Sequence, residues 1–265
     1  NIITVKDGDE VLGSTVVDEN GNWTYTPEKP LVDGNHSLTV TETDKAGNES
    51  DPSAPIEFEV DTTPPVTKDI GKVTDNFGDK QGEITAENNK TDDTTPTFEG
   101  TGESGSTIII KDGDTEIGSV KVDENGNWTF TPDTPLEEGK HSITVTEVDK
   151  AGNVGNDSKP FDFEVDLTKP TKPDLGDITI TDDYGIYTGP ITSGDITDDT
   201  TPTFAGKGEP GSIITIKDGD EVIGTVTVGT DGTWELTSDK PLGEGHHSIT
   251  VTETDTAGNS SDPSD

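Results

Sequence analysis

Aspartate and asparagine recur in short Gly-containing turns, and these are the side chains here best equipped for chemistry. The turn Asp149-Lys150-Ala151-Gly152-Asn153 has counterparts from Asp44 to Asn48 and from Asp255 to Asn259. A second acidic turn reads Asp75-Asn76-Phe77-Gly78 and then Asp182-Asp183-Tyr184-Gly185. Asp61 and Asp166 each end an alternating apolar segment. Carboxylate and carboxamide oxygens are hard donors, and Ca²⁺ takes about six to eight of them. Mg²⁺ demands a tighter octahedron and suits such turns less well. The same residue types are ordinary turn formers, so one Asp-x-Ala-Gly-Asn alone reads as a turn. A site exists only where the fold brings several such turns together.

Composition narrows the partners. The chain has 265 residues with 17 Lys plus Arg against 56 Asp plus Glu, a formal net charge of -39. Nucleic acid is excluded as a partner, because its phosphate backbone calls for cations. Anionic membrane surfaces are disfavoured for the same reason, and no apolar run is long enough to span a bilayer. Cysteine is absent, which rules out disulfides and thiolate metal sites. Apolar residues are only 25% of the chain, a level compatible with disorder. Regular apolar alternation and one Trp per repeat argue instead for small, thin cores. No charged leader followed by an apolar run stands at the start, so the chain reads as an internal piece of something longer.

The repeat sets the organisation. Trp23, Trp128 and Trp234 are spaced 105 and 106 residues apart. The surrounding sequence repeats in step: Lys6 to Asp9 returns as Lys111 to Asp114 and Lys217 to Asp220, and Thr91 to Phe98 returns as Thr197 to Phe204. A period of that size is a whole small domain rather than a solenoid turn. Val60-Asp61-Thr62-Thr63-Pro64-Pro65 and Val165-Asp166-Leu167-Thr168-Lys169-Pro170 read as joints, since proline stops a strand. The expected units are 1–61, without its first strands, 62–166, complete, and 167–265, without its last strand. Open edges are expected in the first and third units.

Nothing in the complete unit reads as helix. Strand signals run over 70–74, 97–102, 108–111, 117–122, 128–131, 142–148 and 161–165, with turn residues between them. Asn125-Gly126 is a hairpin signal. Short strands at this density predict an all-β chain of tandem immunoglobulin-like sandwiches forming an elongated rod. Trp128, Phe130, Ile143, Val145, Phe161 and Phe163 are the expected core.

The run "TDDTTPTFEGTGESGSTIIIKDGD" followed by "DENGNWTFTP", "HSITVTEVDKAGN" and "FEVD" resembles the bacterial Ig-like repeats of giant non-fimbrial adhesins exported by type I secretion. The resemblance covers the whole chain in frame. It implies calcium at or near the domain junctions and a stiff stalk on the bacterial cell surface.

The strand order of an Ig sandwich then gathers the acidic turns. With 142–148 as strand F, the F–G turn opening at Asp149 faces the preceding domain, while the A–B turn at Asp75 to Gly78 and the end of strand G at Asp166 face the following one. At the junction near 166, Asp75, Asn76 and Asp166 should meet Asp255 and Asn259. At the junction near 61, Asp61 should meet Asp149 and Asn153 without an A–B turn, giving an incomplete site. Asp182 and Asp183 occupy the A–B position of the third unit. Unneutralised, such carboxylates repel at close range. Asp92-Asp93 and Asp198-Asp199 lie at the same end, as further ligands or as solvated charge. Asp123-Glu124-Asn125-Gly126-Asn127 is a hairpin, because the third repeat keeps the turn but loses the first carboxylate. Glu42, Glu147 and Glu253 fall in the inward phase of their strand, and an open rim is the expected place for them.

No catalytic constellation is visible. His36, His141 and His247 fall at one repeat position, with His246 beside the last, which fits structure better than catalysis. The first reading is a non-enzymatic, secreted, monomeric stalk. Calcium ions and neighbouring Ig-like domains are its partners, and a region elsewhere engages host-cell surface glycans. The alternatives are a carbohydrate- or protein-binding module and accessory domains of a large secreted enzyme. The scarcity of aromatics outside core phase (Phe77, Tyr184 and Tyr187) weighs against the first of these.

Overall fold

The computed structural model describes residues 1–238 and 240–264. Among the described residues the regular structure is all-β apart from one 3-10 turn at Leu175–Asp177. In the first repeat, β1 (Ile2–Asp7), β2 (Glu10–Val16), β3 (Gly34–Thr43) and β4 (Ile56–Val60) form one antiparallel sheet ordered β2-β1-β3-β4. The second repeat holds β5 (Lys72–Asp75), β6 (Gly82–Glu83), β7 (Lys90–Thr91), β8 (Thr97–Thr101), β9 (Thr107–Asp112), β10 (Thr115–Lys121), β11 (Asn127–Phe130), β12 (Gly139–Val148) and β13 (Phe161–Val165). They make two sheets, β11-β8-β5-β6 and β10-β9-β12-β13-β7. In the third repeat, β14 (Thr179–Asp182), β15 (Gly189–Pro190), β16 (Thr203–Lys207) and β19 (Thr233–Thr237) form the sheet β15-β14-β16-β19. Its second sheet is β18-β17-β20, from β17 (Ile213–Asp218), β18 (Glu221–Thr227) and β20 (Ile249–Thr254).

Alternation puts one side of every strand into the space between the sheets. Val73, Phe98 and Trp128 from one sheet meet Ile108, Ile110, Ile143, Val145, Phe163 and Val165 from the other, all buried. Trp128, Ile143, Val145 and Phe163 are therefore core, as expected, while Phe130 and Phe161 pack against it from partly buried positions. Phe98 is completely buried, and truncating such a side chain costs roughly 3–5 kcal/mol. Trp128 lies across β8 so closely that a Cβ at Gly100 would stand 2.4 Å from its ring. Gly206 and Trp234 repeat the arrangement at 2.7 Å.

All seven expected strands of the second repeat are present, with ends shifted by at most three residues and the last, 161–165, unshifted. The two-residue β6 and β7 carry no alternation and went unread. β7 pairs in parallel with β13, so the chain leaves one sheet after β6 and joins the other.

In the first repeat the segment around Trp23 is not a strand, and Trp23 is 40% exposed. Its counterpart β11 is held by β8, for which the first repeat has no equivalent. Ile56 and Phe58 on β4 are exposed, and β20 in the third repeat has β17 as its neighbour on one side only.

The inward glutamates correct the rim expectation. Glu147 is 1% exposed and Glu253 is 6% exposed, whereas Glu42 lies at the surface. The turn before β9 folds over Glu147, and the Glu103 amide donates to Glu147 Oε1 at 2.6 Å. Glu209 and Glu253 repeat the bond at 2.6 Å. The buried oxygen thus caps an amide that would otherwise be unsatisfied.

Candidate metal centre

Each F–G turn is built by its own aspartate. Asp255 Oδ1 accepts from the amides of Ala257, Gly258 and Asn259 at 2.8, 2.8 and 3.0 Å. Its Oδ2 accepts from Asn259 Nδ2 at 2.9 Å. Asp149 and Asn153 are arranged alike. Burial pushes the Asp149 carboxyl up, but the bonds from Asn153 and the turn amides outweigh it, so the net shift is downward. Asp44 and Asn48 repeat the design in the first repeat.

The asparagine of the turn reaches across the joint. Asn259 Nδ2 donates to the Asp166 main-chain oxygen at 2.8 Å, and Asn153 Nδ2 donates to the Asp61 main-chain oxygen at 3.0 Å. The predicted meetings of Asn259 with Asp166 and of Asn153 with Asp61 are thus observed, through backbone oxygen rather than carboxylate.

At the joint near 166 a platform from the second repeat receives the turn. Asp75 is buried, accepting from Thr91 Oγ1 at 2.6 Å and from the Phe77 amide at 2.9 Å. Asp93 is buried and accepts from the Asn76 amide at 3.0 Å and the Thr95 amide at 2.8 Å. Between them lies Asp92, whose amide donates to the Ala257 carbonyl at 3.2 Å. Lys80 Nζ donates to the Thr256 carbonyl. Ala257 is 1% exposed as a result.

Asp92 is the anomaly of the joint. Its Oδ1 is buried without a hydrogen-bond partner. Burial, then Asp75, Asp255 and Asp93, push its carboxyl up to about 6. Burial also raises Asp75, with Asp93 adding to the effect. Lys90 Nζ meets Asp166 Oδ2 at 2.9 Å. Burial opposes ionisation of Asp166, yet Lys90 and the Thr168 amide hold its carboxyl below the usual range.

The structure thus gathers Asp75, Asp166, Asp255 and Asn259, and it adds Asp92 and Asp93. Asn76 sends its side chain to Thr97 Oγ1 at 3.2 Å. Among the described residues, no three His, Asp or Glu side chains stand in an arrangement that would hold a metal ion. The donor chemistry nevertheless fits a hard cation, because a buried carboxylate oxygen has no partner and its neighbours are carboxylates. The carboxylates that bear on that oxygen are Asp75, Asp255 and Asp93, which would have to draw closer to share one ion. Asp92 was legible in sequence only as an undecided acidic pair; its repetition at Asp198 was the available signal.

Asp182 and Asp183 lie in the third repeat's version of the platform. Asp182 is buried and accepts from Thr197 Oγ1 at 2.6 Å, and Asp183 Oδ2 accepts from Thr203 Oγ1 at 3.0 Å. Asp198, unlike Asp92, is exposed. Asp61 Oδ1 caps the Thr63 amide at 3.0 Å.

Sheets packed face to face and repeated along the chain define tandem immunoglobulin-like β-sandwiches. The chain belongs to the bacterial Ig-like domain family, whose profile matches residues 1–62, 70–167 and 175–265. The curated proteins gave no match. Among solved structures, a tetra-tandem repeat from the extending region of a large adhesion protein is 20% identical at a TM-score of 0.32. That alignment covers 99% of this chain and 65% of the other, so this chain spans about two thirds of its length. The chicken CNTN1 FN1-FN3 domains align at 13% identity and a TM-score of 0.40, covering 99% of this chain and 88% of theirs. The BSP domain of a biofilm associated protein aligns at 17% identity and a TM-score of 0.24, covering 99% and 55%.

Proposed function

We propose that the chain is part of the repeat stalk of a secreted bacterial surface adhesin, divided into units at residues 61 and 166. Its work is mechanical: spacing a distal binding region, which engages host-cell surface glycans, from the cell that carries it. Calcium at the joints stiffens the stalk. The observation supporting calcium is Asp92, a buried carboxylate with an unpartnered oxygen, set among Asp75, Asp93 and Asp255 where one repeat seats on the next. A divalent cation there would supply the missing partner and offset the mutual repulsion. The joint near 61 lacks this platform and is the weaker site.

The test is thermal unfolding of the chain with Ca²⁺ and with chelator, alongside small-angle scattering. Binding at one hundred times the dissociation constant stabilises by about 2.7 kcal/mol. A rise in midpoint with Ca²⁺ that Mg²⁺ fails to match, together with a longer maximum dimension, is the expected result. Overlaid melting and scattering curves would refute the calcium role. Specific, saturable binding of this chain to a glycan array would favour the binding-module alternative.

A further inference from the structure

The histidines are placed for a task of their own. His36 Nδ1 lies 2.5 Å from Asp7 Oδ2, and His36 Nε2 lies 2.8 Å from the Val32 carbonyl. His141 has the same neighbours: Asp112 Oδ2 at 2.7 Å and the Glu137 carbonyl at 2.8 Å. His247 meets Asp218 Oδ2 at 2.6 Å and the Gly243 carbonyl at 2.8 Å. In each case the other carboxylate oxygen accepts the amide of the next serine, Ser37, Ser142 or Ser248. The His36 and His141 rings also lie on Phe58 and Phe163, with centroids 5.6 and 5.5 Å apart.

Both neighbours of each ring accept hydrogen bonds and neither can donate. A neutral imidazole carries one N–H, so only the imidazolium satisfies both contacts. An aromatic face beneath the ring favours the cation further.

The loop held by the ring also holds the joint. Asp33 follows Val32, and its Oδ1 accepts from the Thr62 amide at 3.1 Å and Thr62 Oγ1 at 2.7 Å. Its Oδ2 accepts from Thr63 Oγ1 at 2.8 Å. In the second repeat Glu138 follows Glu137, and its Oε1 accepts from Thr168 Oγ1 at 2.7 Å. The ring therefore grips a short loop whose next residue grips the linker.

We propose that His36 is a proton-dependent clamp: the imidazolium fixes the loop that anchors the linker, and loss of the proton releases it. The remaining proton of the neutral ring stays on Nδ1 for the charge-assisted bond to Asp7. The Nε2 lone pair then opposes the Val32 carbonyl, and the loop moves away with Asp33. The groups that face the ring are the Asp7 carboxylate on β1, the Val32 carbonyl and the Phe58 ring. The sign follows from His36, which its bond to Asp7 and then the Val32 carbonyl raise above the ordinary 6.5. Its contribution is complete below the ordinary value and is lost as pH rises through the folded value. Acid tightens the joint and alkali loosens it, independently of calcium.

The experiment is amide hydrogen exchange at Thr62, whose amide Asp33 holds, in the full chain, in chelator, from pH 5.5 to 8.5 and corrected for intrinsic exchange. Imidazole NMR titration is followed in parallel. Protection should fall as His36 titrates, by about tenfold for each unit that its pKa is raised. H36Q, whose amide cannot titrate and donates from a single nitrogen, should abolish the pH dependence while leaving Thr168 unaffected. Protection that stays constant across the range would overturn the clamp, as would a His36 titration midpoint at or below 6.5. Both readouts use the unmutated chain, so they decide the matter even if H36Q fails to fold.

Discussion

The two joints share one bond and differ in everything built around it. Near 166, Asn259 bonds the Asp166 carbonyl, and the turn behind it sinks onto the Asp75–Asp93 platform, burying Ala257 and Gly258. Near 61, Asn153 bonds the Asp61 carbonyl, but Ala151 and Gly152 stay exposed. A cleft of about 320 Å³ opens there, lined by Glu59, Asp61, Glu103, Ser104, Asp149 and Lys150. The Asn-to-carbonyl bond therefore sets the position of the turn, and the platform determines how much of it is buried. The electrostatic tension follows the platform: Asp92 is pushed up to about 6, while Asp149 in the open joint is held low.

Substitutions that treat the joints differently sharpen this contrast. D92N should have the largest effect, and its sign should depend on the cation. Raised from 3.8 to about 6, the Asp92 carboxyl makes the folded chain lose stability as pH rises from about 4 to about 6. In chelator at neutral pH, D92N should remove that cost, about 3 kcal/mol, and flatten the pH profile measured by denaturant unfolding. With Ca²⁺ saturating, D92N should instead lower the midpoint.

Paired glycine substitutions come next. Gly258 has φ +117° and a Cβ there would stand 3.1 Å from Asp92, whereas Gly152 has φ +95° and open space. Both G258A and G152A incur about 1 kcal/mol of backbone strain. G258A should cost about 1 kcal/mol more, and equal losses in melting would mean that the platform does not crowd the turn. N259A and N153A should cost about the same, roughly 1 kcal/mol each, because both remove the shared bond. A large inequality would show that the bond is not the common element. The smallest effect belongs to K90Q. The Lys90–Asp166 pair is part-exposed at 2.9 Å, so its loss should cost under about 1 kcal/mol, shrinking with salt in a urea titration.

The regular parts of this fold were legible and the irregular parts were not. Period-two alternation located the seven main strands, and the strand order of an Ig sandwich placed the Asp-x-Ala-Gly-Asn turn at a joint. Two residues of β7 carry no period, so the crossing between sheets could not be read. The burial of Asp92 follows from that crossing, since β7 delivers Asp92 to the joint; charge alone reads as solvated surface. Glu147 misled for a related reason. Its phase was read correctly as inward, but the turn at Glu103 that folds over it leaves no sequence pattern. Trp23 shows the converse: its residue type predicts a core position, but the sheet that would cover it is missing from the first repeat.

The crossing also governs how the second repeat bears a pull along the chain. β7 and β13 run parallel, held by Glu164 N to Asn89 O at 2.8 Å and Asp166 N to Thr91 O at 2.9 Å. Tension that reaches β7 through β5 and β6 drags it past β13 along their length. Their hydrogen bonds are then loaded together in shear, and none can open before its neighbour. An antiparallel edge pulled from its free end peels one bond at a time. In the first repeat β4 is an edge without such a partner. Under load, the first repeat should therefore yield before the second.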